Sequence, residues 1–523
     1  MQPKQPKQPM QPLVLGSPDQ FALVREAIDR AGYTEAEVVR RCELPSIYRY
    51  VNLRDGRTVA TTITDAFDVL LRLFLDDEPL PWATVRAHLG DAATDAMRGL
   101  GLLADSDTTG QCASTVLLYP TRSLLIVSDS TNDRDGSRVP ADVVFPAITQ
   151  NTGHFLTMLP ETPCEDLLEL CAGTGIAALS AARDSGHVWA TDITERSAHF
   201  ARFNVLLNGI TNASVACGDL YDAVGDRTFD RIVAHPPYVP GPETRVIFRD
   251  GGEDGEQVTR RIVAGLPDHL RPGGTLHCTC AVTDRVGRLF ELRLRDWLGD
   301  AAPEFDVFFL PQSTHEPGEY YLSRAIQGHE PWDELENRYR LFQRLEVEHL
   351  VYGSFVVRRR TAADAVYTPL TVRRRTNVGT RGSDVLRLME HEMAMAEPGL
   401  QERLLDMPLL VNPRMEFSLT HGQVDGEWVA TDCHIRLLDE FAVDASVSPW
   451  IVALLVRCDG TRATRQILAE LREEGMAPVE PAVETELAPL LLALTTKNVL
   501  LMVPSAPHTP ASSSDLSGVA MAS

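Results

Sequence analysis

One segment constrains this chain more than any other: Asp166-Leu-Leu-Glu-Leu-Cys-Ala-Gly-Thr-Gly-Ile-Ala-Ala-Leu-Ser-Ala-Ala182. The apolar run from Leu167 to Leu170 reads as a buried strand, Gly173 and Gly175 as a tight turn, and the small residues after them as a helix packed close to a sheet. Glycine at both positions lets the backbone approach a ligand more closely than any residue with a Cβ permits. Upstream, Thr115–Tyr119 and Leu124–Ser128 are short apolar runs parted by Pro120 and Arg122, a hairpin pattern. Strands and helices then alternate up to about residue 360, which predicts an α/β domain with a parallel sheet and helices on both faces.

The residues around the turn narrow the ligand. Ala178 stands where a pyrophosphate-binding turn carries its third glycine, and Glu169 places a carboxylate inside the strand just before the turn. A carboxylate there repels a pyrophosphate and suits a cationic amino-acid ligand. S-adenosylmethionine (SAM) carries an ammonium, a sulfonium and no phosphate, and is the expected cofactor, with NAD as the alternative. The next strand, Val188 to Asp192, ends in an acid placed to accept hydrogen bonds from a ribose diol. Ala213–Leu220 reads as a third strand ending in Gly-Asp, where Asp219 would accept from an adenine amine and Leu220 would cover the ring. Cys171, Ala172 and Ile193, beside these, complete the expected cofactor-binding set together with His235.

A fourth strand, Arg231–Ala234, runs into His235-Pro-Pro-Tyr238, a rigid loop. At this loop the sequence resembles the class I SAM-dependent methyltransferases, whose amino-methylating members carry Asn, Asp or Ser before Pro-Pro-Tyr or Pro-Pro-Phe. The stretch 234–274 is similar to the protein-glutamine methyltransferases that modify release factors, through Asp250-Gly-Gly-Glu-Asp-Gly255 and Arg271-Pro-Gly-Gly274; the wider layout of residues 18–360 resembles actinobacterial methyltransferases. The resemblance implies a Rossmann-like, seven-stranded methyltransferase sheet. It also implies that the loop orients an amide nitrogen by accepting its two N–H bonds, the Tyr ring packing on the planar acceptor. His235, Pro236 and Tyr238 are therefore the expected catalytic residues. His235 departs from the family's Asn: a neutral imidazole offers one acceptor and one donor, and with an unperturbed pKa of ~6.5 it also suits a base that deprotonates a hydroxyl. Phe145-Pro-Ala-Ile-Thr-Gln-Asn-Thr152 precedes the first strand, where family members place gating residues. That segment is expected to line the acceptor pocket, together with His315, Glu316, Tyr320 and Tyr321.

Three readings of function follow. The first is methyl transfer to nitrogen or oxygen of a specialised metabolite or peptide. The second is protein-glutamine methylation of a translation factor, and the third a non-catalytic SAM-binding scaffold.

The 523 residues suggest about three domains. Residues 1–17 and 504–523 read as disordered tails, 18–110 as a helical, winged-helix-like domain, 111–360 as the methyltransferase domain and 361–503 as an accessory domain. Thr34 and Glu37 form an expected capping box. Asp459-Gly-Thr461 reads as a turn and helix start, and residues 448–503 resemble the winged-helix peptide-binding domain of pyrroloquinoline quinone biosynthesis, through a helix, Asp459-Gly-Thr461, a helix, and a helix ending in an apolar strand. Homodimerisation through this region is one expectation. Leu350–Arg358 reads as the last, edge strand of the sheet.

A formal net charge of -24 argues against nucleic acid as a partner, since the only dense basic runs are Arg358–Arg360 and Arg373–Arg375. Nine cysteines without a CxxC pair suit reduced thiols and no metal site. No apolar run reaches the ~18 residues of a membrane span. The Gln/Pro/Lys-rich start lacks the apolar core of an export signal, so a cytoplasmic protein is expected.

Overall fold

The computed structural model describes residues 13–50, 62–130, 142–241, 247–327, 332–479 and 482–503. Most of the expected terminal tails lies outside these residues. Leu13, assigned to the first tail by sequence, is instead buried in the core, and Ser17 caps the first helix, Pro18–Arg30, in a reciprocal box with Gln20. The described chain forms two compact units, divided at Glu390/His391.

The first unit is built on one mixed sheet. Its strands are β1 (Cys164–Leu170), β2 (Ser185–Asp192), β3 (Ala213–Cys217), β4 (Phe229–Ala234), β5 (Leu270–Arg285), β6 (Phe305–His315), β7 (Val347–Arg359) and β8 (Thr371–Arg373). They lie in the order β8-β6-β7-β5-β4-β1-β2-β3. Strands β1 to β5 run parallel through crossovers, and β7 runs antiparallel between β5 and β6. Two expectations are corrected here. The sheet has eight strands rather than seven, because Thr371–Arg373 adds to β6. The strand expected at the edge, β7, is interior, and its run of buried Val and Phe residues reflects burial on both faces.

The N-terminal helices, expected as a domain of their own, share one hydrophobic core with one face of the sheet. Phe21 packs edge-on against Phe203 of α3 (Glu195–Leu207), with ring centroids 5.0 Å apart. The hairpin forms at Leu117–Thr121 and Leu124–Ser128, and Arg122 and Ser123 both take positive φ in its two-residue turn. Two asparagines one helical turn apart hold it to α3: Asn204 and Asn208 each accept from a hairpin N–H, of Val127 and Leu125, and donate back to the same residues' carbonyls. Thr34 does cap its helix, but Glu37 does not reach back to it; Arg40 and Arg41 hold that carboxylate instead.

In the second unit Pro408–Val411 pairs antiparallel with Asp459–Ala463 and with Leu500–Met502. Asp459-Gly-Thr461, expected as a turn and helix start, is a strand, and the helix begins at Thr464. A long hairpin, Met415–Val424 with Glu427–Leu437, turns at Asp425 and Gly426, both at positive φ. Helices Pro449–Leu455, Thr464–Glu473 and Ala482–Thr496 close over Leu409, Leu454, Leu468 and Leu491.

Candidate active site

A cavity of about 430 Å³ opens at the carboxyl ends of β1, β2, β3 and β4, the end where open parallel sheets bind ligands. Its volume falls within the roughly 300–1,000 Å³ of cofactor-sized sites. Every expected cofactor residue lines it: Glu169, Cys171, Ala172, Gly173, Asp192, Ile193, Asp219, Leu220 and His235, with the exception of Gly175. Gly175 works one layer behind. It caps α2 (Ile176–Ala181) at φ 77°, and a Cβ there would press to 3.3 Å on Ala201. At Gly173, φ 52°, a Cβ would meet nothing within 4 Å. Its missing side chain leaves room on the cavity wall. Cys171 and Leu220 take positive φ without being glycine, at 55° and 52°, a conformation held at cost by its surroundings.

The acids at this end are engaged by the protein itself. The Glu169 carboxyl accepts from the N–H groups of Ala177 (3.2 Å) and Ala178 (2.8 Å), and so caps the first turn of α2. Burial pushes it up to about 8, against those two bonds. Sequence reasoning assigned Glu169 to the ligand's ammonium; the structure shows that it also fixes the helix that frames the turn. Asp192 accepts from Gly173 N–H (2.9 Å) and from Thr194 N–H (3.0 Å), which locks the turn to the end of β2. Asp219 accepts from Arg261 at 2.9 Å, a partner that no local pattern could reveal.

The other end of the cavity is aromatic. His235, Pro236, Pro237 and Tyr238 line it with Thr149, Asn151, Thr152 and Phe155. The His235 ring lies between Phe155 (5.2 Å between centroids) and Tyr238 (5.9 Å). Its Nε2 is buried and has no hydrogen-bond partner among the described residues, and the same is true of Nε2 of His154. Burial, with His154 adding a smaller repulsion, lowers His235 to about 4, so the ring is neutral at physiological pH. Asn151 Nδ2 donates to the Tyr238 hydroxyl at 2.7 Å, which leaves the phenolic proton free to be donated. Burial raises Tyr238 to about 12 and keeps that proton on.

The loop is held by the glycine-rich segment after it. Val239 N–H donates to Arg249 O and Gly251 N–H to Val239 O, at 2.8 and 2.9 Å. A Cβ on Gly251 would come within 2.7 Å of Pro237 O, and one on Gly255 within 2.5 Å of Tyr238 O. The glycines are required because two backbones touch.

Of the other acceptor-side expectations, Phe145, Asn151 and Thr152 reach the cavity, and Phe145 stacks on Phe248 at 4.6 Å. His315, Glu316, Tyr320 and Tyr321 do not line it. Tyr321 is buried instead in a small cluster with Leu335 and Phe342. Sequence reasoning missed Tyr352, whose ring stands 6.2 Å from Tyr238, and Phe248. Tyr352 arrives from the distant strand β7, and neither residue carries a local signal.

The comparisons agree with this geometry. Residues 146–294 match the methyltransferase small domain. The chain is 33% identical over 177 residues to the ribosomal protein uL3 glutamine methyltransferase of Bradyrhizobium diazoefficiens, covering 31% of this chain and 52% of that protein. It is 30% identical over 124 residues to the release factor glutamine methyltransferase of Gloeobacter violaceus, covering 21% of this chain and 43% of that protein. The chain thus spans about half the length of these relatives.

S-adenosylmethionine is the cofactor of such a domain, and the residues here fit it. The open space at Gly173 admits an amino-acid backbone, Asp192 retains acceptor capacity for a ribose, and Leu220 offers an apolar face at the end of β3.

Proposed function

We propose that this chain is a SAM-dependent methyltransferase whose acceptor is a nitrogen, presented as a planar amide on a protein or peptide. The observation that carries the reading is the neutral His235 ring on the cavity wall, whose buried Nε2 has no partner among the described residues. A buried polar atom without a partner costs roughly 1–3 kcal/mol, a cost that an acceptor group would relieve. SAM supplies an electrophilic methyl group; the chain's own residues hold the nitrogen. The Pro236 carbonyl and the His235 ring form the polar seat. The Tyr238 ring floors the planar group, and its free phenolic proton is suited to an amide oxygen. The relatives' names, glutamine methyltransferases acting on ribosomal protein uL3 and on release factors, support an amide acceptor over a specialised metabolite.

The alternative, O-methylation with His235 as base, needs a ring that ionises near neutrality. Burial opposes that. A pH–rate profile separates the two. For the amide reaction, turnover is flat from pH 6 to 8 and falls only as the pH drops toward about 4, where His235 gains a proton. A limb near ~6.5 would instead favour the base mechanism. Calorimetry with S-adenosylhomocysteine tests the cofactor first: micromolar binding is expected, and no binding by well-folded protein would refute the assignment.

A further inference from the structure

We propose that the helical hairpin between β6 and β7, α6 (Pro317–Gln327) and α7 (Trp332–Arg344), is the docking surface for a cationic polypeptide that carries the acceptor. This rests on the reading above, that the acceptor belongs to a protein or peptide.

The hairpin is continuous with the aromatic end of the site. Tyr352 of β7 stands edge-on to Tyr238 and pairs in register with Ser313 of β6. Two residues further along β6, the His315 ring lies 5.9 Å from Tyr320 of α6. Tyr320 is also near enough to Tyr238 to help raise its phenol.

The interior of the hairpin is already filled by Tyr321, Leu335, Leu341 and Phe342. Its outside nevertheless exposes Leu322 (58%), Ile326 (79%) and Trp332 (64%). A single exposed apolar residue is ordinary, but one small hairpin here exposes three, and Leu322 and Ile326 share a helix face. Tryptophan is the residue type most enriched among interface anchors.

The charge beside these residues fixes the sign of the occupant. Glu316, Glu319 and Asp333 are exposed and form no ion pair among the described residues. A basic segment would meet apolar anchors and unneutralised carboxylates together, and its encounter would be steered by the chain's net charge of -24. The residues matched to the methyltransferase small domain end at 294, before the hairpin. The matched domain therefore accounts for the cavity and not for this surface.

The test uses the full chain saturated with S-adenosylhomocysteine and two labelled synthetic peptides. One is rich in Lys and Arg, with a central Gln flanked by Leu and Phe; in the other every Lys and Arg is Glu. Fluorescence anisotropy should show salt-sensitive binding of the cationic peptide alone. The triple variant Leu322→Ser, Ile326→Ser, Trp332→Ser should weaken it at least tenfold. A second, Glu316→Lys, Glu319→Lys, Asp333→Lys, should weaken it and flatten its salt dependence. Affinity for S-adenosylhomocysteine should stay unchanged in both. Equal binding of the two peptides, no binding of the cationic one, or unchanged affinity in both variants overturns the proposal. Failure of the unaltered chain to bind S-adenosylhomocysteine is a separate result, and strikes the cofactor assignment instead.

Discussion

The two ends of the cavity satisfy their polar groups in opposite ways. At the glycine-turn end, Glu169, Asp192 and Asp219 each accept hydrogen bonds from the protein, so the frame is set before any ligand arrives. At the loop end, His235 buries a ring nitrogen without a partner among the described residues. The first end is pre-organised as a receptor for a molecule of fixed shape. The second stores unmet hydrogen-bonding capacity, which an incoming polar group can use. Substitutions at the two ends should therefore separate affinity from turnover.

The largest effect is expected at the loop. Tyr238→Ala removes the floor under the acceptor and the Asn151 bond, and should lower turnover about a hundredfold, the scale on which misplaced reacting groups are penalised. S-adenosylhomocysteine affinity should hold within about threefold by calorimetry, because Tyr238 is not part of the turn. Equal losses in both would make the loop a structural element and erase the contrast.

Asp192→Ala should do the reverse. Losing hydrogen bonds to a ribose, and the bond that pins Gly173, should weaken S-adenosylhomocysteine by about 1–3 kcal/mol, roughly five- to 150-fold. Unchanged affinity would remove Asp192 from the site. At saturating cofactor the turnover of this variant should stay near that of the unaltered chain.

His235→Asn sharpens the identity of the acceptor. If an amide nitrogen is held there, the Asn oxygen replaces the ring acceptor and turnover should stay within about tenfold. Complete loss in the Asn variant, with cofactor binding intact, would point to an essential imidazole and to a hydroxyl acceptor.

The smallest effect concerns the pH dependence of stability. Glu169 rises from 4.5 to about 8 on folding. An acid raised in this way holds its proton more tightly in the folded state. Its contribution is thus fully present below about pH 4.5 and is lost as the pH climbs through about 8. Glu169→Gln cannot ionise. Denaturant midpoints measured from pH 5 to 8 should fall less steeply in the variant. Parallel slopes would show that Glu169 is not protonated in the folded chain.

How much of this was legible in the sequence depends on the range of the interactions involved. The strand–turn–helix of residues 166–182 and the ends of β2, β3 and β4 were readable because apolar runs and glycines act locally. The hairpin of residues 117–128 was readable for the same reason. The extra strand Thr371–Arg373 was not. Three residues make no periodic pattern, and the bonds that hold them to β6 are long-range: Asp306 accepts from Leu370 N–H across a gap of 64 residues. Asp459-Gly-Thr461 read as a helix start, because a turn and a short strand share residue preferences until a partner strand is present.

The sequence by itself determined the order of elements from β1 to the His235–Tyr238 loop and the chemical character of both ends of the cavity. Those follow from residue type and spacing, and neither depends on what lies across the fold. The tertiary structure decided the ionisation of the groups involved. Burial between Phe155 and Tyr238 penalises the charged form of the His235 ring and lowers it to about 4, and burial raises Glu169 to about 8 for the same reason. Desolvation is a property of surroundings, and no residue carries its surroundings in its name.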